Sequence, residues 1–168
     1  MKANQDNKQA FLEVYDAFAD AIFRHCYFKV SNREIAQDMT QQAFMQLWTY
    51  MKDGKDIENP KALLYRIAGN LAIDWYRKKK SESLEGLMEG GFDPSDKKGE
   101  NIEQSAEFQN VLKRLPELSP EEQNLITWRF VEDLSPKEIS EILKERENTV
   151  SVRIHRALEH LKELMKTT

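Results

Sequence analysis

The stretch "LLYRIAGNLAIDWYRKKK", Leu63 to Lys80, holds the side chains whose types and spacing best fit a defined chemistry. On a helix, Asn70 lies among cations opposite an apolar stripe, so its amide can bond a base edge while the cations hold phosphates. Trp75 and Tyr76 offer rings on which an unpaired base can stack. We predict a nucleic-acid surface made of Arg66, Asn70, Asp74, Trp75, Tyr76, Arg77 and Lys78. An alternative interpretation buries Trp75 in the core and treats the final cations as a solvated helix end.

A second polar surface is predicted near the C-terminus, in a pattern typical of a helix-turn-helix. Residues 135–143 form the supporting helix, residues 144–147 a tight turn, and the recognition helix runs from Thr149 onward. Its outer face carries groups that bond base edges and phosphates: Asn148, Thr149, Ser151, Arg153, His155 and Arg156. The turn has no glycine, so Lys144 or Asn148 must take any left-handed conformation, which asparagine tolerates better. A small helical bundle with a polar surface is the alternative.

A third surface is predicted on the helix "NREIAQDMTQQAFMQLWTYM", residues 32–51. Its apolar stripe is directed to the core and leaves other side chains outside: Asp38, Gln41, Gln42, Met45 and Trp48. An exposed methionine and tryptophan among amides are typical of a protein interface. The alternative is that Trp48 belongs to the core.

Several classes of function find no residues to support them. Cys26 is the only cysteine and the three histidines are not grouped with other ligands, so we predict no metal site and no cofactor. No serine or cysteine has a recognisable base, and no glycine loop cradles phosphate, so an enzyme is not expected. No apolar run approaches the roughly 20 residues of a membrane span and no secretory signal is evident, so we expect a cytoplasmic protein.

These surfaces belong to a chain whose apolar spacing is helical almost throughout, so the expected fold class is all-α. We predict two small helical domains, residues 1–80 and 108–168, joined by an acidic flexible linker, residues 81–107. The net charge of −4 conceals this arrangement. Residues 81–110 hold 8 Asp and Glu against 2 Lys and Arg, whereas residues 1–80 hold 13 Lys and Arg against 10 acids. The acid is concentrated where the glycines and a proline also accumulate.

Four helix starts are marked by capping residues. "SNRE" offers Ser31 as an N-cap with Glu34 closing a capping box, and "NPKA" places Pro60 at the first helical position. The near-repeats "LSPEE" and "LSPKE" each combine a serine cap, a proline and a glutamate three residues after the cap. Two helices are therefore predicted to begin sixteen residues apart, after Ser119 and Ser135.

Taken in chain order, the three surfaces resemble the extracytoplasmic-function (ECF) sigma factors, the minimal class of the bacterial sigma-70 family. "REIAQDMTQQAFMQLW" resembles region 2.2, and "NPKALLYRIAGNLAIDWYRKKK" resembles regions 2.3 and 2.4. "LPELSPEEQNLITWRFVEDLSPKEISEILKERENTVSVRIHRAL" resembles region 4. The chain departs from the usual pattern at Gln42, where the family often has glutamate, and at Asp133, Lys144 and Asn148, where it usually has glycine.

The resemblance implies a protein that binds core RNA polymerase and directs promoter recognition, DNA melting and transcription initiation. It implies that the third surface docks on the polymerase, that Asn70 and its neighbours meet the −10 element, and that the recognition helix meets the −35 element. The loop at residues 52–59 would receive a flipped base, and an anti-sigma factor would regulate the protein. A helix-turn-helix regulator acting without polymerase, or a helical interaction protein, is the alternative.

Overall fold

The computed structural model of the chain describes residues 2–85 and 106–166. All regular structure within these residues is helical, which confirms the predicted all-α class. The α-helices are α1 (Lys2–Val30), α2 (Arg33–Lys52), α3 (Pro60–Glu85), α4 (Ala106–Arg114), α5 (Pro120–Ile126), α6 (Pro136–Leu143) and α7 (Glu147–Lys166). A 3-10 turn at Leu115–Glu117 precedes α5, and a π-helical turn at Thr127–Val131 follows it.

The predicted linker overlaps both of the helices that flank it. α3 continues through Glu85, five residues into the segment 81–107, because neither glycine nor proline interrupts it before Gly86. α4 begins at Ala106, inside the predicted linker. Residues 86–105, which make up the rest of that segment, lie outside the described residues. The division into two domains stays a prediction, and we refer below to the N-terminal half (α1–α3) and the C-terminal half (α4–α7).

The helix caps follow the predictions with one correction. Ser119 and Ser135 each form a complete capping box with the glutamate three residues later, and proline occupies the first turn of both helices. Asn59 caps α3, accepting a hydrogen bond from the Ala62 backbone N–H at 3.1 Å. Each box satisfies backbone donors that the first helical turn leaves unpaired, which fixes where α5 and α6 begin.

The start of α2 is one residue later than predicted, because its cap is Asn32 rather than Ser31. Ser31 has a φ of 51°, and its backbone N–H closes α1 on the Tyr27 carbonyl at 2.9 Å. The extended conformation that a cap requires therefore falls to Asn32, whose side chain accepts from the Ile35 N–H at 3.0 Å. The expected capping box with Glu34 is wrong for the same reason.

One hydrophobic core cluster of the described residues runs through both halves of the molecule. In the N-terminal half it contains Ile22, Ala43, Leu47, Leu64 and Ala68, among others. The C-terminal half adds Leu125, Trp128, Leu134, Ile139, Ile142, Val150 and Ile154 to the same cluster. A smaller cluster lies within the C-terminal half, around Leu115, Leu118, Ile126, Ala157 and Leu161. The two halves are therefore docked on each other through buried apolar contact, and α6 lies beside α3.

Candidate nucleic-acid interface

A cleft of about 1210 Å³ lies where the loop after α2 meets α3. Three of the predicted DNA-binding residues, Arg66, Asn70 and Asp74, line it from α3. Asn70 and Asp74 are exposed and Arg66 is half-buried. The cleft thus gathers an amide, a cation and a carboxylate along one helix face. An unpaired base entering it meets hydrogen-bonding groups and apolar walls together.

The other wall of the cleft is the loop at residues 53–59, which lies within the segment 52–59 that the resemblance associates with a flipped base. Residues 55–59 all line the cleft, and the loop is held at both ends. At its start Gly54 has a φ of 71°, a conformation that glycine adopts without steric cost. The Lys55 ammonium lies 4.3 Å from the centre of the Tyr50 ring, which also contributes to the wall. At its end Asn59 caps α3.

The far end of α3 is partly occupied by contacts within the protein. Tyr76 is half-buried, and its hydroxyl donates to the Lys29 carbonyl of α1; burial raises the pKa of Tyr76 to about 12. Trp75 is half-buried and packs edge-on against Tyr76, with ring centres 5.0 Å apart. Arg77 is exposed and lies 3.6 Å from the Glu121 carboxylate of α5, and Lys78 is exposed. Of the two side chains predicted to stack on a base, Tyr76 is therefore hydrogen-bonded to α1.

Two acidic residues of α6 bond the start of α3 and the residue before it, and one of them, Glu141, lines the cleft. Glu141 accepts a hydrogen bond from the Asn59 side chain at 2.7 Å, and Glu138 pairs with the Lys61 ammonium at 2.7 Å. The bond from Lys61 holds the pKa of the Glu138 carboxyl below its usual range. Glu141 and Lys144 also line the cleft. Glu141 therefore adds a carboxylate to the wall of the cleft, where it would repel a phosphate backbone.

The predicted recognition helix is α7, which begins at Glu147 and buries Val150, Ile154, Ala157 and Leu161. Five of the predicted DNA-binding side chains are exposed: Asn148, Thr149, Ser151, His155 and Arg156. The sixth, Arg153, is half-buried. Arg153 donates two hydrogen bonds to the Glu145 carboxylate of the turn, at 2.7 and 2.8 Å. Lys144 takes the left-handed conformation, with φ 55° and ψ 42°. The Arg153–Glu145 pair thus links α7 to the turn.

The predicted polymerase-binding face lies on α2 and is largely open. Asp38, Gln41 and Gln42 are exposed, and Met45 is 69% exposed. Trp48 is half-buried, with its ring edge-on to Phe11 of α1 at 5.3 Å. A shallow groove of about 430 Å³ runs along Gln42 and Met45 toward the loop after α2. An exposed thioether among amides on a rigid helix is suited to a protein partner.

Sequence reasoning missed the seam between the two halves, which we define as Trp128, His25, Lys29, Gly69 and Asn124. The Trp128 ring lies nearly parallel to the His25 ring, with centres 6.0 Å apart, and Lys29 Nζ is 5.8 Å from the tryptophan ring centre. A Cβ on Gly69 would approach Trp128 Cζ2 to 2.9 Å, so only glycine fits there without a shift. Asn124 donates to the Gly69 carbonyl at 3.4 Å.

An ion pair lies beside the seam. The Arg24 guanidinium donates to both oxygens of Glu132, at 3.0 and 2.8 Å, and the Tyr65 hydroxyl donates to the same carboxylate at 3.3 Å. The Glu132 side chain is 1% exposed. α1 and α3 therefore both bond one buried carboxylate of the C-terminal half, a geometry that no local pattern in the sequence indicates.

Among the described residues, no group of three or more His, Cys, Asp and Glu side chains is placed to hold a metal ion. Within the same residues no helix is both long and apolar enough to span a bilayer.

Comparison with known proteins identifies the family. A family model described as Sigma-70 region 2 matches residues 14–82, and one described as Sigma-70, region 4 matches residues 108–161. The ECF RNA polymerase sigma factor SigW of Bacillus subtilis (strain 168) is 33% identical, over 98% of this chain and 92% of SigW. The chain belongs to the ECF sigma factors of the sigma-70 family. The resemblance inferred from the three surfaces is thereby confirmed.

This ECF sigma factor is also similar to RNA polymerase sigma factor SigV of Bacillus subtilis (strain 168), at 28% identity over 94% of the chain and 92% of SigV. Its fold is similar to that of RpoE in the co-crystal structure with the anti-sigma factor NepR from Bartonella quintana. The TM-score is 0.70 at 22% identity, and the match covers 95% of this chain and 98% of that one. The structural likeness concerns the fold, and it agrees with the all-α architecture.

The two matched regions correspond to the two halves of the sigma factor. The region 2 match begins in α1 and ends in α3. It therefore includes the predicted polymerase-binding face on α2, called the α2 face below, and the two walls of the cleft formed by α3 and the loop after α2. The region 4 match begins in α4 and ends in α7. The acidic segment between them, at residues 86–105, lies outside the described residues.

Proposed function

We propose that this sigma factor binds core RNA polymerase through α2 and places the cleft on the −10 element and α7 on the −35 element. The observation that supports the proposal is the separation of three open polar surfaces on three different helices. Each surface has the chemistry that one partner requires, and none overlaps another in sequence. The sigma factor confers promoter recognition on an enzyme and catalyses no reaction itself.

The α2 face, made of Asp38, Gln41, Gln42, Met45 and Trp48, is proposed to dock on the polymerase. Its centre is Met45, the most exposed of the large apolar side chains in the described residues. Amides around an exposed thioether supply directional hydrogen bonds at the rim of an apolar contact. The missing charge at Gln42 makes this face depend more on apolar and amide contacts than on ion pairs.

The cleft is proposed to hold the unpaired −10 strand, with Asn70 as the residue that reads a base. An amide presents one donor and one acceptor, which match the complementary pair on an exposed base edge. Arg66 and Lys78 supply charge for the phosphates, and Trp75 supplies a ring for stacking. Asp74 and Arg77 complete the surface, whereas Tyr76 acts from behind by holding α3 on α1.

The outer face of α7 is proposed to enter the major groove of the −35 element. Asn148, Thr149, Ser151, His155 and Arg156 are exposed along it and can bond base edges or phosphates. Arg153 has a second task, because its guanidinium is bonded to Glu145 and fixes the turn that aims the helix.

The docked arrangement cannot contact both promoter elements at once. The −10 and −35 elements are centred about 25 base pairs apart, which is roughly 85 Å of undistorted duplex at about 3.4 Å per base pair. A compact chain of this length has a radius of gyration of about 15 Å and is therefore about 40 Å across. We infer that the halves separate on the polymerase, which also removes Glu141 from the cleft.

The cellular setting follows from the proposed partners. A protein that acts on core polymerase and promoter DNA works in the cytoplasm. The solved RpoE is in complex with the anti-sigma factor NepR. We infer that an anti-sigma factor likewise controls this protein, by covering the α2 face and the cleft.

The proposal is tested by binding to purified bacterial core polymerase, followed by transcription from a pool of genomic fragments. Tight binding with new, sequence-selective start sites is the expected result. Folded protein that leaves core polymerase unbound would contradict the proposal. Selective DNA binding without polymerase would favour a helix-turn-helix regulator acting alone, and polymerase binding without strand opening would favour a helical interaction protein.

Replacing Asn70 with alanine is expected to reduce open-complex formation about 5- to 150-fold, the range for losing one good base contact of about 1–3 kcal/mol. Binding to core polymerase should be unchanged, because Asn70 lies on α3 and is not one of the residues of the α2 face. Permanganate reactivity of −10 thymines measures opening, and co-purification measures binding. Asn110→Ala, an exposed asparagine on α4, is the matched control. Wild-type opening by Asn70→Ala would remove Asn70 from the proposed role.

A further inference from the structure

One apolar side chain lies on the outer face of α7, among the residues proposed to meet DNA. Val152 is 48% exposed. At about 100° per residue, the buried side chains Val150, Ile154, Ala157 and Leu161 point to one side of the helix, and Val152 points almost directly opposite. Its neighbours on the outer face are exposed and polar: Asn148, Thr149, His155 and Arg156. Val152 therefore occupies the centre of the face that a partner of α7 must touch.

The chemistry of that partner limits what a valine can recognise. Its side chain neither donates nor accepts hydrogen bonds, so it cannot distinguish base edges by their polar groups. The floor of the major groove has one apolar group, the C5 methyl of thymine. Because valine is β-branched, it holds one strongly preferred rotamer on a helix and presents its two methyl groups in a fixed direction. The position suits this task, since the first two turns of a recognition helix contact the bases.

We propose that Val152 is a specificity-determining residue that selects thymine in the −35 duplex by contact with its C5 methyl group. This inference rests on the proposed binding of α7 to the −35 element and adds to it the identity of one base pair. The surrounding groups divide the remaining work. Asn148, Thr149 and Arg156 bond polar edges and phosphates, while Val152 rejects cytosine, which lacks the methyl group at the same position.

Deoxyuridine provides a direct test, because it pairs as thymine does and lacks only the methyl group. The holoenzyme is reconstituted with core polymerase, and a promoter is selected from a library randomised in the −35 element. Each −35 thymine, on either strand, is then replaced singly by deoxyuridine. At one position the replacement is expected to weaken holoenzyme binding about fourfold, the effect of losing one buried methyl group.

Variants at position 152 assign that effect to the valine. Val152→Ala is expected to bind the thymine promoter about fourfold more weakly and to respond no further to deoxyuridine at that position. Val152→Ile keeps apolar contact and should keep the deoxyuridine effect. Alanine is a better helix former than valine, so folding of α7 is not at risk.

Three results would overturn the inference, and they differ from one another. Wild-type holoenzyme that binds the selected promoter equally well with every −35 thymine replaced shows that no methyl group is read. A deoxyuridine effect that persists unchanged in Val152→Ala assigns the methyl contact to another residue. Absence of any −35-dependent binding, with the thymine promoter included, contradicts the proposed function of α7 and the inference with it.

Discussion

The Trp128→Ala variant is expected to lose about 3–5 kcal/mol of unfolding free energy and to release the two halves of the molecule from each other. Trp128 is 2% exposed, and its ring fills the space between His25 of α1 and Gly69 of α3. Truncation to a methyl group leaves a large cavity in the seam. When the two halves move apart, water can fill the seam. Separation of the halves therefore costs less free energy than keeping an empty cavity in the docked state.

Urea unfolding and small-angle X-ray scattering measure the two parts of this prediction. Wild-type protein should unfold at a higher urea concentration and have the smaller radius of gyration. Trp128→Phe, which keeps an aromatic ring in the seam, should lie between wild type and alanine in both measurements. An alanine variant with wild-type radius and wild-type unfolding midpoint would show that Trp128 does not hold the halves together.

Gly69→Ala tests the same contact from α3 without deleting any atom of the core. Alanine favours a helix over glycine by about 1 kcal/mol, so a simple propensity effect would stabilise the protein. In the docked state, however, the new Cβ would lie 2.9 Å from Trp128 Cζ2 and 3.0 Å from Asn124 Nδ2. Destabilisation by this variant therefore reports the tight approach of the two halves and not the intrinsic preference of α3.

The local structure of the chain was predictable because its determinants are close together in sequence. The capping boxes at Ser119 and Ser135 need only four consecutive residues, and both form as expected. The buried stripe of α7 follows from helical spacing alone. The cap of α2 was missed because two adjacent residues, Ser31 and Asn32, both have the right chemistry, and the closure of α1 decides between them.

The seam could not be predicted, because its contacts join residues that are between 55 and 103 positions apart. His25, Lys29 and Trp128 look like ordinary members of amphipathic helices until the halves are docked. Lys144 is a similar case. Asparagine is the better residue for a left-handed position, yet the register of α6 and α7 assigns that conformation to Lys144. The exposed position of Val152 could have been predicted from the sequence, since its place opposite the buried stripe of α7 follows from helical spacing alone.

The second large effect is expected from Lys29→Met, which should stabilise the docked protein by about 1–3 kcal/mol at pH 7, the cost of leaving a buried polar group without a hydrogen bond. Within the described residues, neither the Lys29 Nζ atom nor either ring nitrogen of His25 has a hydrogen-bond partner. Burial lowers the pKa of both groups well below their ordinary values. Methionine has nearly the shape of lysine and needs no such partner.

The same pair gives the seam a defined dependence on pH. Other titratable groups near it are Cys26 on α1, whose pKa burial raises to about 11, and Tyr65 on α3, whose pKa burial also raises. Beyond them lies the Arg24–Glu132 pair. Neither Cys26 nor Tyr65 changes charge between about pH 5 and pH 8, so His25 dominates the acidic range. Above about pH 9 an exposed Cys26 thiol loses a proton that the buried thiol keeps, which opposes the effect of Lys29 there.

The signs follow from proton uptake on opening. Once exposed, His25 regains its ordinary pKa of 6.5 and binds a proton that it does not bind in the docked state. The stability of the docked state therefore falls as the pH drops through 6.5. Exposed Lys29 binds a proton at any pH below 10.5, so stability rises as the pH approaches 10.5. His25→Phe should therefore remove the loss of stability at acidic pH, and Lys29→Met should remove the gain at alkaline pH.

Urea unfolding midpoints measured from pH 5 to pH 10 for wild type and the two variants test this assignment. Lys8→Met, which changes an exposed lysine of α1, is the matched control and should reproduce the wild-type profile. Earlier unfolding of Lys29→Met at pH 7 would mean that the ammonium contributes attraction to the Trp128 ring that exceeds its cost of burial. If His25→Phe loses stability at acidic pH as the wild type does, carboxylates and not His25 cause that loss. We expect instead that the buried His25 and Lys29 side chains make the docked state less stable than it would be with an apolar seam of the same size.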